Sequence, residues 1–222
     1  MVVFLRGCNF KCCYCQNYRI WGIALPVRSD GLLLEIQRNK GYVGALVFSG
    51  GEPTLRPNLL RLLAEEAKRE GLLVGIETNG SYPEVLKTLI ASDLLDGLFV
   101  DLKAPVSNPR KYARIAGVAD ARVSLEKIEQ TIEIGRAAFA ANELIAFELR
   151  TTLFKGLLHQ DEIVEMVNQF RDIPYVLQQG RTEVCPRKNL IALTRDELIT
   201  LAIQCRRPLR VRTLENGDEK VT

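Results

Sequence analysis

Short apolar runs alternate with helix-period segments along the whole chain, and that alternation restricts the fold more than any other feature. Residues 2–6, 45–49, 72–77, 97–101, 144–151 and 175–179 are apolar and strand-sized. Between them, residues 32–39, 59–69, 83–91, 125–140 and 161–171 repeat their apolar positions at helical spacing. Pro57, Pro83 and the pair Asp161 and Glu162 mark helix starts. Strands this uniformly apolar must be covered on both faces, so helices have to flank a parallel sheet. Six βα units predict an α/β fold, either an open doubly wound sheet or a partial barrel. Both collect their chemistry at the carboxyl ends of the strands. One domain is expected across the 222 residues. Its core spans about 1–180, a helix and strand follow over about 194–213, and the polar tail 215–222 is expected to fray.

The stretch "RGCNFKCCYCQN", residues 6–17, directly follows the first strand and holds four of the six cysteines. Cys8, Cys12 and Cys15 put three soft ligands on one loop, which suits an iron–sulfur cluster or zinc. Zinc would want a fourth ligand, yet His159 is the single histidine and Cys185 and Cys205 stand apart. Three thiolates on a four-iron cluster leave one iron open to a small molecule. As core residues these cysteines would be poorly served, because lysine and asparagine interrupt them. Disulfides belong to much smaller secreted chains. No apolar run suits a membrane span, residues 1–5 are too short for a signal core, and a net charge of +3 gives no case for nucleic acid. A cytoplasmic, reducing setting is expected.

The remaining polar oddities also fall at strand ends. "SGGEP" (49–53) follows the second strand, "ETNG" (77–80) ends the third, "DLK" (101–103) ends the fourth, and Arg150 with Thr151 ends the fifth. Such convergence on one rim is what a site looks like in either architecture.

The C-x3-C-x2-C loop, with aromatic Tyr14 before its last cysteine, resembles the signature of the radical S-adenosylmethionine (radical SAM) enzymes, and "GGEP" resembles their second motif. The resemblance implies a partial (βα)6 barrel in which Cys8, Cys12 and Cys15 bind a [4Fe-4S] cluster. S-adenosylmethionine chelates the fourth iron, and Cys13 is a spare thiol behind the loop. A zwitterionic adenosyl cosubstrate needs an ammonium acceptor, a cation for its carboxylate and hydroxyl partners. Gly50 and Gly51 allow close backbone approach, and Glu52 supplies negative charge. Lys103 is the cation aimed at the rim, with Asn79 and Asp101 as polar partners and Arg150 as a second cation.

"VDLKAP", "LRTTLFKGLLHQDEI" and "YVLQQGRTEVC" further resemble the activating proteins of glycyl radical enzymes, above all the long form of the anaerobic ribonucleoside-triphosphate reductase activating protein. That likeness covers nearly the whole chain. It implies reductive cleavage of S-adenosylmethionine to a 5′-deoxyadenosyl radical, which takes hydrogen from a glycine of a partner glycyl radical enzyme. Asp101 and Lys103 lie at the catalytic site on this reading, and flavodoxin or ferredoxin donates the electron. The sequence departs from these proteins at its start, where they carry a further segment with a "DYPG"-like run. A trimmed chain or a misplaced start is expected. Two other readings stand beside this one: a radical enzyme acting on a small metabolite, resembling carboxy-deazaguanine synthase, and a non-catalytic iron–sulfur or zinc protein. Arg110, Lys111, Arg206, Arg207, Arg210 and Arg212 form either a docking face for an acidic partner or a solvated surface.

Overall fold

A computed structural model describes residues 1–21 and 29–222. In chain order its main elements are β1 (Val2–Leu5), α1 (Ser29–Asn39), β2 (Ala45–Gly50), α2 (Pro57–Arg69), β3 (Leu73–Thr78), α3 (Pro83–Ala91), β4 (Gly97–Asp101), α4 (Pro109–Ala116), α5 (Ala121–Ala140), β5 (Ala146–Leu153), α6 (Gln160–Gln169), β6 (Tyr175–Gln179), α7 (Arg195–Gln204), β7 (Leu209–Thr213) and β8 (Gly217–Val221). The seven expected strands and six expected helices are all present. The chain divides into two compact units, one built from residues 1–9, 19–100 and 126–147, the other from 10–18, 101–125 and 148–222.

In the first unit, β1 to β4 run parallel in chain order, with Val3 opposite Phe48, Leu46 opposite Val74 and Ile76 opposite Leu98. Leu46, Phe48, Ile76 and Leu98 are buried to 1% exposure or less, as are Leu60 and Leu63 of α2 and Leu86 of α3. One face of the sheet therefore forms the core with the helices. On the other face, Gly75 and Gly97 make room for the Phe99 ring, which a Cβ at either position would meet at 3.2 Å.

In the second unit β5, β6 and β7 are parallel, with Arg150 opposite Val176 and Val176 opposite Arg210. The tail expected to fray is instead β8, antiparallel to β7 from Leu209↔Val221 to Thr213↔Gly217. Gly217, at φ 67°, closes this hairpin where a side chain would strain the backbone. Asp218 then accepts from Arg212 Nε at 2.6 Å and from Arg210 Nη1 at 3.2 Å, so the polar letters that read as solvated tail are cross-strand partners.

The helix α4 was not expected. Asn108 accepts from the Lys111 amide at 3.0 Å, Pro109 opens the first turn, and Gly117 caps the end at φ 63°. These are good helix signals around only eight residues, too short for periodicity to reveal.

Candidate functional site: two sets of strand-end residues

In the first unit, "GGE" turns back against the start of the cysteine loop. The amide of Gly51 donates to the Leu5 carbonyl and that of Glu52 to the Gly7 carbonyl, each at 2.8 Å. A Cβ at Gly51 would overlap the Gly7 carbonyl and press on Cys8 Cβ, and Gly50 sits at φ 121° against Leu5. Both glycines are thus required by close approach, as the motif suggested. Glu52 has a different task from the one expected. Its side chain is fully buried. One carboxylate oxygen accepts from the Thr54 amide at 3.1 Å, Thr54 Oγ1 at 2.5 Å and Thr78 Oγ1 at 2.7 Å, and the other accepts from the Asn79 amide at 2.8 Å. Burial raises its pKa above the usual carboxylate value, against the pull of those hydrogen bonds. Glu52 ties the end of β3 to the turn after β2 and has little accepting capacity left for an ammonium.

Asn79 is likewise engaged. Its Nδ2 donates to Asn9 Oδ1 at 3.0 Å, its Oδ1 accepts from the Ser81 amide at 3.0 Å, and Asn9 Nδ2 donates to Ser81 Oγ at 2.9 Å. Asn9 and Ser81 had no motif to mark them. They fix the residue next to Cys8.

In the second unit, the loop carrying Cys12, Cys13 and Cys15 is seated on α4. The amides of Lys11 and Cys13 donate to the carbonyls of Ala116 and Ile115 at 3.0 and 2.9 Å, satisfying helix-end acceptors that have no partner within the helix. Gly117 is compelled here too, since a Cβ would overlap the Lys11 backbone. Lys103 is 9% exposed, and its ammonium meets Asp101 Oδ2 at 2.7 Å. Burial alone would lower its pKa. Asp101 reverses this, aided by Tyr14 and Cys12, and the lysine stays firmly protonated. Tyr14 is 7% exposed, and its hydroxyl has no hydrogen-bond partner among the described residues. Burial pushes that phenol well up, while Lys103 draws it down. An unsatisfied buried hydroxyl beside a lysine–aspartate pair is what a polar ligand would complete.

Arg150 lies in an ion network. Its Nε reaches Glu148 Oε1 at 2.5 Å, and Glu148 is also held by Arg210. Arg207 donates to the carbonyls of Val167, Phe170 and Ile173 at 3.1, 2.7 and 2.7 Å, beyond the end of α6, and Lys111 pairs with Glu162. Of the six basic residues read as a docking face or a solvated surface, Lys111, Arg207, Arg210 and Arg212 have partners inside the fold.

All six cysteines are described residues outside disulfides; Cys12 is buried and Cys8 and Cys15 are half-buried. Among the described residues no three His, Cys, Asp or Glu side chains gather as they would around one metal ion. A four-iron cluster asks for something else, because each thiolate takes its own iron. In the second unit, the reduced thiols of Cys12 and Cys15 on one loop and the unsatisfied Tyr14 hydroxyl fit such a group with a polar cosubstrate. Burial raises the Cys13 thiol above the usual value, against the pull of the Arg187 charge. Burial, with Cys13 and Cys15 nearby, pushes the Cys185 thiol up to about 11, so it is a protonated donor.

Comparison with known proteins decides the family, because the model of the radical SAM superfamily matches residues 2–161. The chain belongs to that superfamily. Radical SAM enzymes use a [4Fe-4S] cluster and S-adenosylmethionine. Within the superfamily, this radical SAM chain is 30% identical over 182 residues to a Methanocaldococcus jannaschii protein assigned as a glycyl-radical enzyme activating enzyme, covering 80% of this chain and 71% of that one. That places it in the activating-enzyme branch. It is 25% identical over 178 residues to the pyruvate formate-lyase 1-activating enzyme of Escherichia coli K12, covering 76% and 67%. Among solved structures, TYW1 with a lysine–pyruvate adduct aligns at TM-score 0.68 and 20% identity over 96% of this chain and 75% of that one. Streptococcus suis SuiB bound to S-adenosylmethionine aligns at TM-score 0.68 and 16% identity, covering 96% and 49%. These likenesses confirm the α/β fold of partial-barrel type. No helix among the described residues is long and apolar enough to cross a membrane.

Proposed function

We propose that this radical SAM enzyme activates a glycyl radical enzyme, the anaerobic ribonucleoside-triphosphate reductase being the favoured partner and flavodoxin or ferredoxin the electron donor. The observation that carries the reading is the similarity to the M. jannaschii activating enzyme along four fifths of the chain. Cys8, Cys12 and Cys15 hold the cluster, leaving one iron for the amino and carboxylate groups of S-adenosylmethionine. When bound, the cluster supplies the electron that splits the sulfonium into methionine and a 5′-deoxyadenosyl radical, which takes a hydrogen atom from the partner's glycine. Lys103 neutralises the cosubstrate carboxylate through a charge-assisted contact. Asp101, bonded to Lys103 at 2.7 Å, keeps that ammonium charged and aimed. The Tyr14 hydroxyl, unpartnered in the protein alone, turns to the cosubstrate. Glu52 and Asn79 act as braces, fixing the strand ends so that Cys8 and the "GGEP" backbone keep their places.

The decisive experiment incubates the reconstituted enzyme with S-adenosylmethionine, a reductant and the candidate reductase. A protein radical is expected whose electron paramagnetic resonance doublet collapses when the partner's glycine is deuterated at its alpha carbon. Turnover of a free small molecule with no radical on any partner would replace this reading with that of a metabolite enzyme.

A further inference from the structure

The segment 181–188 lies beyond the region matched by the family model, yet it reaches the cysteine loop. Cys185, fully buried, reaches the Tyr14 carbonyl at 3.2 Å and the Arg181 carbonyl at 2.8 Å. The Tyr14 ring is held as well: it packs on Phe154 with centroids 5.6 Å apart at 35°. Phe154 is 2% exposed and lies so close over Gly180 that any Cβ there would overlap its ring. The backbone at Tyr14 is therefore held by a stacked ring and by a thiol whose one S–H is shared between its carbonyl and the nearer carbonyl of Arg181. Tyr14 is the residue before Cys15.

We infer that Cys185 is a positioning residue for the cluster: its S–H donor pins the Tyr14 carbonyl and so sets how Cys15 presents its sulfur. The inference rests on Cys15 being a cluster ligand, as proposed above. A thiol suits the place because it is bulky enough to fill a buried gap and still donates a weak hydrogen bond. Partners that orient a ligand commonly tune the metal group as strongly as the ligand itself, and hydrogen bonding and solvent access set cluster potentials.

The test compares Cys185→Ala, Cys185→Val and Cys185→Ser with Cys205→Ala in anaerobically reconstituted protein. Cys205 is also fully buried but bonds the Leu201 carbonyl at 3.3 Å, at the end of α7. Three signals are read: iron release to a chelator, the cluster's midpoint potential, and amide hydrogen exchange at residues 13–15 in the cluster-free protein. Cys185→Ala should release iron about tenfold faster, the size of one lost buried hydrogen bond, shift the potential and speed exchange. Cys185→Val refills the volume without a donor and should behave the same way, which covers the case in which the alanine variant folds poorly. Cys185→Ser keeps a donor and should restore most of the wild-type values, and Cys205→Ala should leave all three signals unchanged. Wild-type behaviour in both donorless variants, or a serine variant no better than alanine, would overturn the inference. Wild-type protein that takes up no four-iron cluster would sink the ligand assignment instead. Exchange in the cluster-free protein would still decide whether Cys185 holds the loop.

Discussion

Glu52 and Lys103 are both buried charges at strand ends, and their surroundings differ. Glu52 accepts hydrogen bonds from Thr54, Thr78 and Asn79 through both carboxylate oxygens. Among the described residues Lys103 pairs with the carboxylate of Asp101, whose side chain is 35% exposed, and beside the pair lies the unsatisfied Tyr14 hydroxyl. In the first unit the protein consumes its own polar groups, and they are structure. In the second unit hydrogen-bonding capacity is left over, and leftover capacity in a buried place is where a ligand binds.

That contrast can be broken most forcefully at Glu52. Glu52→Ala strands several buried donors and should destabilise the protein by about 3 kcal/mol or more, measured by denaturant unfolding without any cofactor. Glu52→Gln sharpens the point through pH. Because burial raises the folded pKa above the ordinary 4.5, the folded state binds the proton more tightly than the unfolded chain. Stability should therefore fall as pH rises from that ordinary value through the raised one, then level off. The glutamine variant should lack this slope. A flat wild-type profile would show the hydrogen bonds offsetting burial, and a rising one would show them outweighing it.

At Lys103 the expected effect moves from stability to binding. Lys103→Ala should cost less stability than Glu52→Ala, about 1–3 kcal/mol, because the Asp101 it leaves behind is partly solvated, while losing ten- to hundredfold in S-adenosylmethionine affinity, the worth of roughly 1.5–3 kcal/mol for a hydrogen bond to a charged group. Equilibrium binding to cluster-loaded protein measures it. A large stability loss with unchanged affinity would make Lys103 a brace like Glu52. Tyr14→Phe should give the smallest effect, with opposite signs in the two assays. Removing an unsatisfied buried hydroxyl should leave the cofactor-free protein as stable or up to about 1 kcal/mol more stable, and weaken cosubstrate binding severalfold.

Much of this was legible from residue order. Strands β4 and β6 and helix α3 have the bounds their apolar runs suggested, because burial on both faces leaves a strong signature in parallel strands. Gly50 and Gly51 were legible because close approach admits only glycine. Glu52 was misread, since its partners Thr78 and Asn79 come from the end of another strand and only folding brings them within reach. The hairpin strand β8 was missed for a related reason: "GDEKV" at a sheet edge is polar whether paired or not. Cys185 closes the run "YVLQQGRTEVC" that carried the resemblance, but a lone cysteine has no spacing from which its contact with the cysteine loop could be read.

The packing of Phe154 over Gly180 reaches beyond this one sequence. Because no Cβ fits at 180 under that ring, and because the same ring supports Tyr14, neither position can drift independently during divergence. A lineage that gained a side chain at 180 would have to shrink residue 154 in step and find another support for the aromatic residue of the cysteine loop. Paired substitution at 154 and 180, with compensation near 14, is the evolutionary trace this contact should leave among homologues.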